Sequence, residues 1–259
     1  MRIVSVCCRQ DNYAYLLICE ETGELVVVDP SEPEPVLEAL EAEKLKPSAV
    51  WNTHHHYDHV GGNEILAKRY PGIDIVAHES DRGRVPGQTV FVKDGDSLQV
   101  GKEISAEVIF NPGHTSGAIS FFLGAAEAVF TGDTLFGAGC GRLFEGKFEQ
   151  MHASLMRLCA LPKNTRVYSG HEYTAGNLAF ASAVEPGNEA ISRRVKRVAE
   201  LRENGQSTMG STIEEELDTN VFVRCEVPEV VASAREQGAI DTGSPSEVFG
   251  ALRKWKDGF

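Results

Sequence analysis

Residues 53–62 read THHHYDHVGG, which places four histidines and an aspartate within six positions. Imidazole nitrogens and carboxylate oxygens together are the donors that zinc, iron and other first-row divalent ions accept. Three more such side chains occur later, His114 in NPGHTSG, Asp133 in FTGDTLF and His171 in YSGHEYT. Each set follows a strand-like run: SAVWNT, AEVIFN, EAVFTG and TRVYSG. Side chains remote in sequence that recur past strand ends are what a site on one edge of a sheet requires. The set His54, His56, Asp58, His59, His114, Asp133 and His171 is too large for a single tetrahedral ion and fits two divalent ions that share a carboxylate. No cysteine belongs to it, so the usual mark of a closed structural zinc is missing and the site is expected to be catalytic. Two neighbouring ions acidify a water held between them, which makes hydroxide available near neutral pH to attack a carbonyl carbon. Neither GHTSG nor YSGHE has the GxSxG form of a nucleophile elbow, so no serine is expected to attack.

The elements that must position these ligands are legible as short β-branched and aromatic runs. RIVSV, AYLLICE, ELVVVDP, SAVWNT, DIVAH, TVFV, AEVIFN, AISFFL, EAVFTG and TRVYSG read as strands. EPVLEALEAEKLK, NEILAKRY and EQMHASLMRLCAL carry helical periodicity between them. Such a mixture predicts a layered α/β domain on two sheets. His54 and His56, two apart on an extended segment, point the same way. Asp58 and His59 are expected where the chain turns into the helix opened by GGNEIL, with Gly61 and Gly62 letting the backbone bend.

After residue 171 the strand signal fades. NEAISRRVKRVAELREN reads as a helix closed by Gly205, STIEEEL as one with Ser211 and Glu214 at capping-box spacing, and SPSEVFGALRKWKD as one capped by Ser244 with Pro245 first and Glu247 completing the box. The expected division is 1–171, carrying the metal ligands, and 172–259, mostly helical.

A net charge of −13 argues against a nucleic-acid groove or an anionic membrane as partner, but not against a small anion met by a local cluster of cations. The apolar run at the start of MRIVSVCCRQDNYAYLLI is too short for a signal peptide or a membrane span, and the six cysteines show no framework. A cytoplasmic protein with reduced thiols is the expectation. A monomer is expected from the lack of an obvious exposed apolar stripe.

THHHYDH, NPGHTSG and FTGDTLF resemble the ligand motifs of the metallo-β-lactamase superfamily. Within it, DNYAYL, GGNEIL, FTGDTLFGAGCGRLFEG, YSGHEYTAGNLAFA, VEPGN and ALRKWKD resemble glyoxalase II, the hydroxyacylglutathione hydrolases, over essentially the whole chain. The resemblance implies a four-layer αββα sandwich followed by a smaller all-helical C-terminal domain that binds substrate. It implies that His54, His56 and His114 hold one ion, that Asp58, His59 and His171 hold the other, and that Asp133 bridges them. The ions would be zinc, with iron, manganese or a mixture also accepted. Asp58 could in addition orient the attacking hydroxide. Asp29, in VVVDP, would orient a ligand, although an aspartate before Pro30 also suits a plain strand-to-turn position.

The implied reaction is hydrolysis of S-D-lactoylglutathione or a similar 2-hydroxyacyl thioester to glutathione and the free acid, the second step of methylglyoxal detoxification. Arg142, Phe144, Tyr173, Asn177, Arg253 and Lys256 fall on family substrate positions, and cations there suit the two carboxylates of glutathione. In the last helix, Val248, Leu252, Trp255 and Phe259 are expected to form an apolar face, with Arg253 and Lys256 projecting from another. Arg142 stands where lysine is frequent, Phe144 where tyrosine is, and Val221 where proline is; these touch affinity rather than reaction type. The alternative is a glutathione-persulfide dioxygenase of the same superfamily, which uses one iron held by two histidines and an aspartate. His55, His78 and His152 are expected to stand outside the site.

Overall fold

In the computed structural model, residues 1–238 and 243–259 are described. The first half supplies β1 (Arg2–Cys8), β2 (Asn12–Ile18), β3 (Leu25–Val28), β4 (Pro47–Trp51), β5 (Asp74–His78) and β6 (Val90–Val92), hydrogen-bonded in that order. β1 to β3 run antiparallel, and β3 to β6 run parallel. The parallel part needs crossovers, and helices α1 (Pro33–Glu43), α2 (Tyr57–Val60) and α3 (Asn63–Arg69) lie within them. β2 is buried along its whole length because both faces of its sheet are covered.

The second sheet draws on β7 (Ser97–Val100), β8 (Ile104–Phe110), β9 (Ile119–Leu123) and β10 (Ala128–Gly132). A small hairpin, β11 (Leu135–Phe136) with β12 (Gly139–Cys140), follows, then helix α4 (Phe148–Cys159), β13 (Arg166–Ser169) and, later in the chain, β14 (Ser211–Thr212). The order is β14-β13-β10-β9-β8-β7, with β10 and β13 parallel. The C-terminal helices are α5 (Thr174–Val184), α6 (Glu189–Glu203), α7 (Ile213–Thr219), α8 (Pro228–Gln237) and α9 (Pro245–Asp257).

Apolar side chains divide into layers accordingly. Between the sheets, Trp51 packs on Phe121 at 5.1 Å, and Tyr15 meets Phe130 and Tyr168 edge-on. Val36, Leu40 and Leu66 of α1 and α3 cover the outer face of the first sheet. Met151, Leu155 and Leu158, one stripe of α4, join Val129 and Val167 with Phe180, Phe222 and Phe249 from the C-terminal helices. Helices, sheet, sheet, helices: the four-layer αββα sandwich is present, and the helical C-terminal part extends its last layer.

Each strand-like run read from the sequence falls on a strand. β7, SLQV, is an exposed edge with little β-branched content, and so gave no signal. α5 and α8 were also silent, α5 because TAGNLAFASAV has no polar stripe to set off its apolar one. The cap of α7 is Thr212, whose hydroxyl accepts from Glu215 N; Ser211 is engaged in β14, so the cap lies one residue later than the sequence spacing suggested, and the Glu215 carboxylate pairs with Arg197. Ser244 caps α9 as expected, and the Glu247 carboxylate accepts from Gly243 N at the same helix start. Gly61 and Gly62, in the turn between α2 and α3, have φ of −60° and −87°, values open to any residue, so the turn does not draw on glycine's conformational freedom. They are small because a Cβ on either would meet Ser31 O at 2.5 Å or Pro30 O at 2.9 Å. Asp58 and His59 sit on a short helix of their own, α2, ahead of that turn.

Candidate metal centre and pocket

β4 ends at Trp51 and delivers His54 and His56; α2 delivers Asp58 and His59. The loop after β8 brings His114, the end of β10 brings Asp133, and the end of β13 brings His171. All seven side chains meet at one edge of the sandwich. His54, His56 and His114 form one group with donor atoms within 4.8 Å of one another, and Asp58, His59 and His171 form another. Asp133 lies between them: Oδ1 is 3.3 Å from His59 Nε2, while Oδ2 is 3.5 Å from His114 Nε2 and 3.3 Å from His171 Nε2. His54 Nε2, His59 Nε2 and Asp133 Oδ1 are buried with no hydrogen-bond partner. Orphaned lone pairs facing one another at this cost are what cation ligands look like, so the residues fit a pair of divalent ions.

In His54, His59, His114 and His171 the ring nitrogen pointing away from this centre is held. Thr53 Oγ1 donates to Asp29 Oδ2 at 2.6 Å and lies 3.1 Å from His54 Nδ1. His59 Nδ1 is 2.9 Å from Asp29 Oδ2, His114 Nδ1 is 2.7 Å from Arg142 O, and His171 Nδ1 is 3.0 Å from Asp11 Oδ1. An acceptor on Nδ1 keeps the proton there and turns the Nε2 lone pair toward the centre. Asn12 Nδ2 donates to Asp58 Oδ2 at 3.2 Å and fixes that carboxylate. Close packing requires glycine at two points, since a Cβ on Gly132 would run into Thr53 and one on Gly170 would lie 2.5 Å from Asp133 Oδ1.

Charge is shared unevenly. Burial opposes a charge on His59, but Asp133 and Asp29 outweigh it and raise its pKa to about 10, so a metal ion binding at Nε2 would displace a proton. His171 is similarly raised to about 11 by Asp133, Asp58 and Asp11 against burial. Burial and neighbouring imidazoles lower His56 to about 4 and push His54 well down. Asp58 and Asp133, buried yet surrounded by imidazoles, are held below the usual carboxylate range.

Beside the centre opens a cavity of about 690 Å³. Its floor includes His56, Asp58, His114, Asp133 and His171, and all six expected substrate residues line it. Tyr173 stacks on the His171 ring at 4.7 Å, and Phe144, largely exposed, stands edge-on to His56 and His114. The Asn177 amide donates to Gly137 O, so it holds the β11–β12 hairpin from within the wall. Lys256 Nζ donates to Gly176 O at 3.2 Å. Arg253 does not project as its helical position suggested: it is only 4% exposed. Its guanidinium donates to Cys140 O at 3.0 Å and to Asp257 Oδ1 at 2.9 Å. Asp257 Oδ1 also lies 3.5 Å from Arg142 Nε, making it a counter-charge that the sequence reading overlooked. In the expected apolar face of α9, Val248 and Leu252 are buried, but Phe259 is 60% exposed.

The remaining histidines stand outside. His78 stacks on Phe110 and faces Ser80, and His152 packs against Phe249. Asp11, Asn12 and Thr53 were missed, because a partner up to 160 residues from its ligand leaves no spacing signal.

Fold and paired ligand groups define a member of the metallo-β-lactamase superfamily, and the family model described as "Metallo-beta-lactamase superfamily" matches residues 10–171. A second, "Hydroxyacylglutathione hydrolase C-terminus", matches residues 172–259. The chain belongs to the hydroxyacylglutathione hydrolase family. It is 49% identical to "Hydroxyacylglutathione hydrolase" of Gloeobacter violaceus over 96% of both chains. It is 46% identical to "Hydroxyacylglutathione hydrolase cytoplasmic" of Arabidopsis thaliana over 99% of this chain and 98% of that one. Among solved structures it resembles TTHA1623 in a di-iron-bound form, with a TM-score of 0.53 and 29% identity over 66% of this chain and 92% of that one.

Proposed function

We propose that the protein hydrolyses S-D-lactoylglutathione and related 2-hydroxyacylglutathiones to glutathione and the 2-hydroxy acid, the second step of methylglyoxal detoxification. The observation that carries this reading is the juxtaposition of two ligand groups joined by Asp133 with a cavity wall bearing Arg142, Arg253 and Lys256. His54, His56 and His114 would hold one divalent ion, Asp58, His59 and His171 the other, with Asp133 shared. Zinc fits these donors, and iron or manganese are accepted by the same set. Bound there, the ions supply an acidified water and polarise the thioester carbonyl.

The chain's own residues do the rest. Asp58, held ionised and tethered by Asn12, is placed to orient the attacking water. Lys256, Arg253 and Arg142 receive the glutathione carboxylates, while Tyr173, Phe144 and Asn177 shape the wall. The departing thiol has an intrinsic pKa of about 8.5, so it leaves as thiolate without a general acid. Residues 1–171 carry the hydrolytic centre, and residues 172–259 supply most of the thiol-recognition surface. A complete second group, Asp58, His59 and His171, favours this chemistry over a single-iron oxygenase. Six free thiols and the absence, among the described residues, of a helix long and apolar enough to cross a membrane support a cytoplasmic setting.

The test is release of free glutathione from S-D-lactoylglutathione by the purified protein, before and after removing and restoring divalent metal. Turnover lost to a chelator and regained with metal is expected. No turnover by the fully metallated protein would overturn the reading.

A further inference from the structure

His55 lies between two ligands but faces away from them, into a cluster the proposed reaction does not use. Its Nδ1 is 3.4 Å from Asp81 Oδ1, and Arg84 Nη2 donates to its Nε2 at 2.6 Å. A guanidinium can only donate, so Nε2 accepts and the ring proton sits on Nδ1, facing Asp81. Asp81 is wholly buried and both its carboxylate oxygens lack a hydrogen-bond partner. Arg84 Nη1 reaches it at 3.3 Å. The Arg84 guanidinium also pairs with both oxygens of Glu145, and Nη1 donates to Ser116 Oγ at 3.0 Å. Glu145 in turn accepts from Ser116 N and Ser116 Oγ, both at 2.7 Å.

Four separate pieces of chain meet here: the 53–59 ligand loop, the turn after β5, the 114–117 loop and the 142–146 loop. Asp81 fits so closely beneath the 114–117 loop that a Cβ on Gly117 would collide with its carboxylate. The last two loops are the ones that matter to substrate and metal alike. His114 Nδ1 bonds Arg142 O, and Phe144 N donates to His114 O at 3.1 Å. Whatever fixes 142–146 therefore fixes both the orientation of the His114 ring and the placement of Arg142 and Phe144 on the pocket wall.

We infer that His55, Asp81, Arg84 and Glu145 form a positioning clasp that locks the 142–146 loop onto the 114–117 loop, so that metal retention at His114 and thiol binding at Arg142 and Phe144 are set together. None of the four touches substrate or reacting atoms; they act through His114 and the loop backbone. The inference rests on the two-ion hydrolase reading. Arg84 and Glu145 are each about one-third exposed.

The experiment compares wild type, Arg84→Met, Glu145→Gln and the double variant, with three readouts: loss of zinc to a competing chelator, KM against kcat for S-D-lactoylglutathione at saturating zinc, and the melting temperature of the metal-stripped protein. Each single variant is expected to hold one of its two ions about 10- to 100-fold less tightly, the range for partners that orient a metal-bound histidine. KM should rise more than kcat falls; Glu145→Gln should leave the metal-stripped melting temperature at the wild-type value, Arg84→Met should lower it because buried Asp81 loses its cation, and the double variant should hold metal no worse than the poorer single. Wild-type zinc retention and KM in both single variants would overturn the clasp. So would a change confined to the metal-stripped melting temperature, which would leave the cluster a purely structural one. A wild-type chain that binds no zinc at all would instead overturn the two-ion reading, and the clasp with it.

Discussion

Asp29 Oδ2 lies 2.9 Å from His59 Nδ1 and 2.6 Å from Thr53 Oγ1, so one carboxylate oxygen governs the orientation of two ligands, His59 directly and His54 through Thr53. It does so from a left-handed backbone conformation, φ 47°, that aspartate tolerates better than most residues. Asp29→Ala is expected to weaken metal binding by about 10- to 100-fold, measured by chelator competition. Asp29→Asn, which keeps shape and backbone tolerance, should lose less. Equal affinities for all three proteins would reduce Asp29 to a turn residue.

His54→Ala and Asp133→Ala each remove a donor with no spare to replace it. Turnover should fall to near background, while the far-ultraviolet circular dichroism of the variants matches wild type. Retained activity in either would sink the assigned ligand set.

Arg253 and Lys256 line the same cavity but differ in burial, and their alanine variants should differ accordingly. Losing one charge-assisted contact to a carboxylate is expected to raise KM by about 10- to 100-fold in both. Lys256→Ala should leave the melting temperature unchanged. Arg253→Ala also strips the buried Cys140 carbonyl of its donor, and should cost about 1–3 kcal/mol of stability. Denaturant titration alongside kinetics separates the two effects.

Burial, followed by the like charges of Arg253 and Arg142, lowers the pKa of Lys256 from its ordinary 10.5. A lowered lysine pKa means that the cation is lost at a lower pH than in a free lysine. Affinity for a non-hydrolysable S-alkylglutathione should therefore decline on the alkaline side before 10.5. The Lys256→Arg protein should show no such decline. Matching profiles for the two proteins would remove Lys256 from carboxylate recognition.

Glu216 and Arg194 form a fully buried ion pair at 2.6 Å, and Glu216 Oε2 also accepts from Ala138 N at 2.8 Å in the turn of the β11–β12 hairpin. Glu216→Ala leaves Arg194 charged, buried and short of a partner, which costs about 3–5 kcal/mol. Chemical denaturation should register this loss. Replacing both residues by apolar ones should restore most of it.

The metal ligands were readable in the sequence because chemistry forces them to be histidine or aspartate and topology forces them to strand ends. Their supports were not. Asp11, Thr53 and the clasp around His55 are ordinary polar residues whose partners are set by how loops fold over one another. The same distinction runs through the fold. β-branched runs such as LVVV and AVFTG announced their strands, whereas β7, only four residues long with one β-branched side chain, and α5, with no amphipathic stripe, did not. Gly61 and Gly62 show the opposite case, a correct residue for a different reason, since what they avoid is collision with the backbone of Pro30 and Ser31. Arg253 was legible as a cation but not as a buried one, because its hydrogen-bond acceptor, Cys140 O, lies 113 residues away.

The ligands arrive from four strand ends spread between His54 and His171, with the sheets they belong to formed far apart in the chain. No short segment emerging from a ribosome can assemble either ligand group in full, because each requires a residue from the second sheet. Full coordination of either ion then requires the two sheets to be docked, so metal affinity reports on how well the sheets hold together.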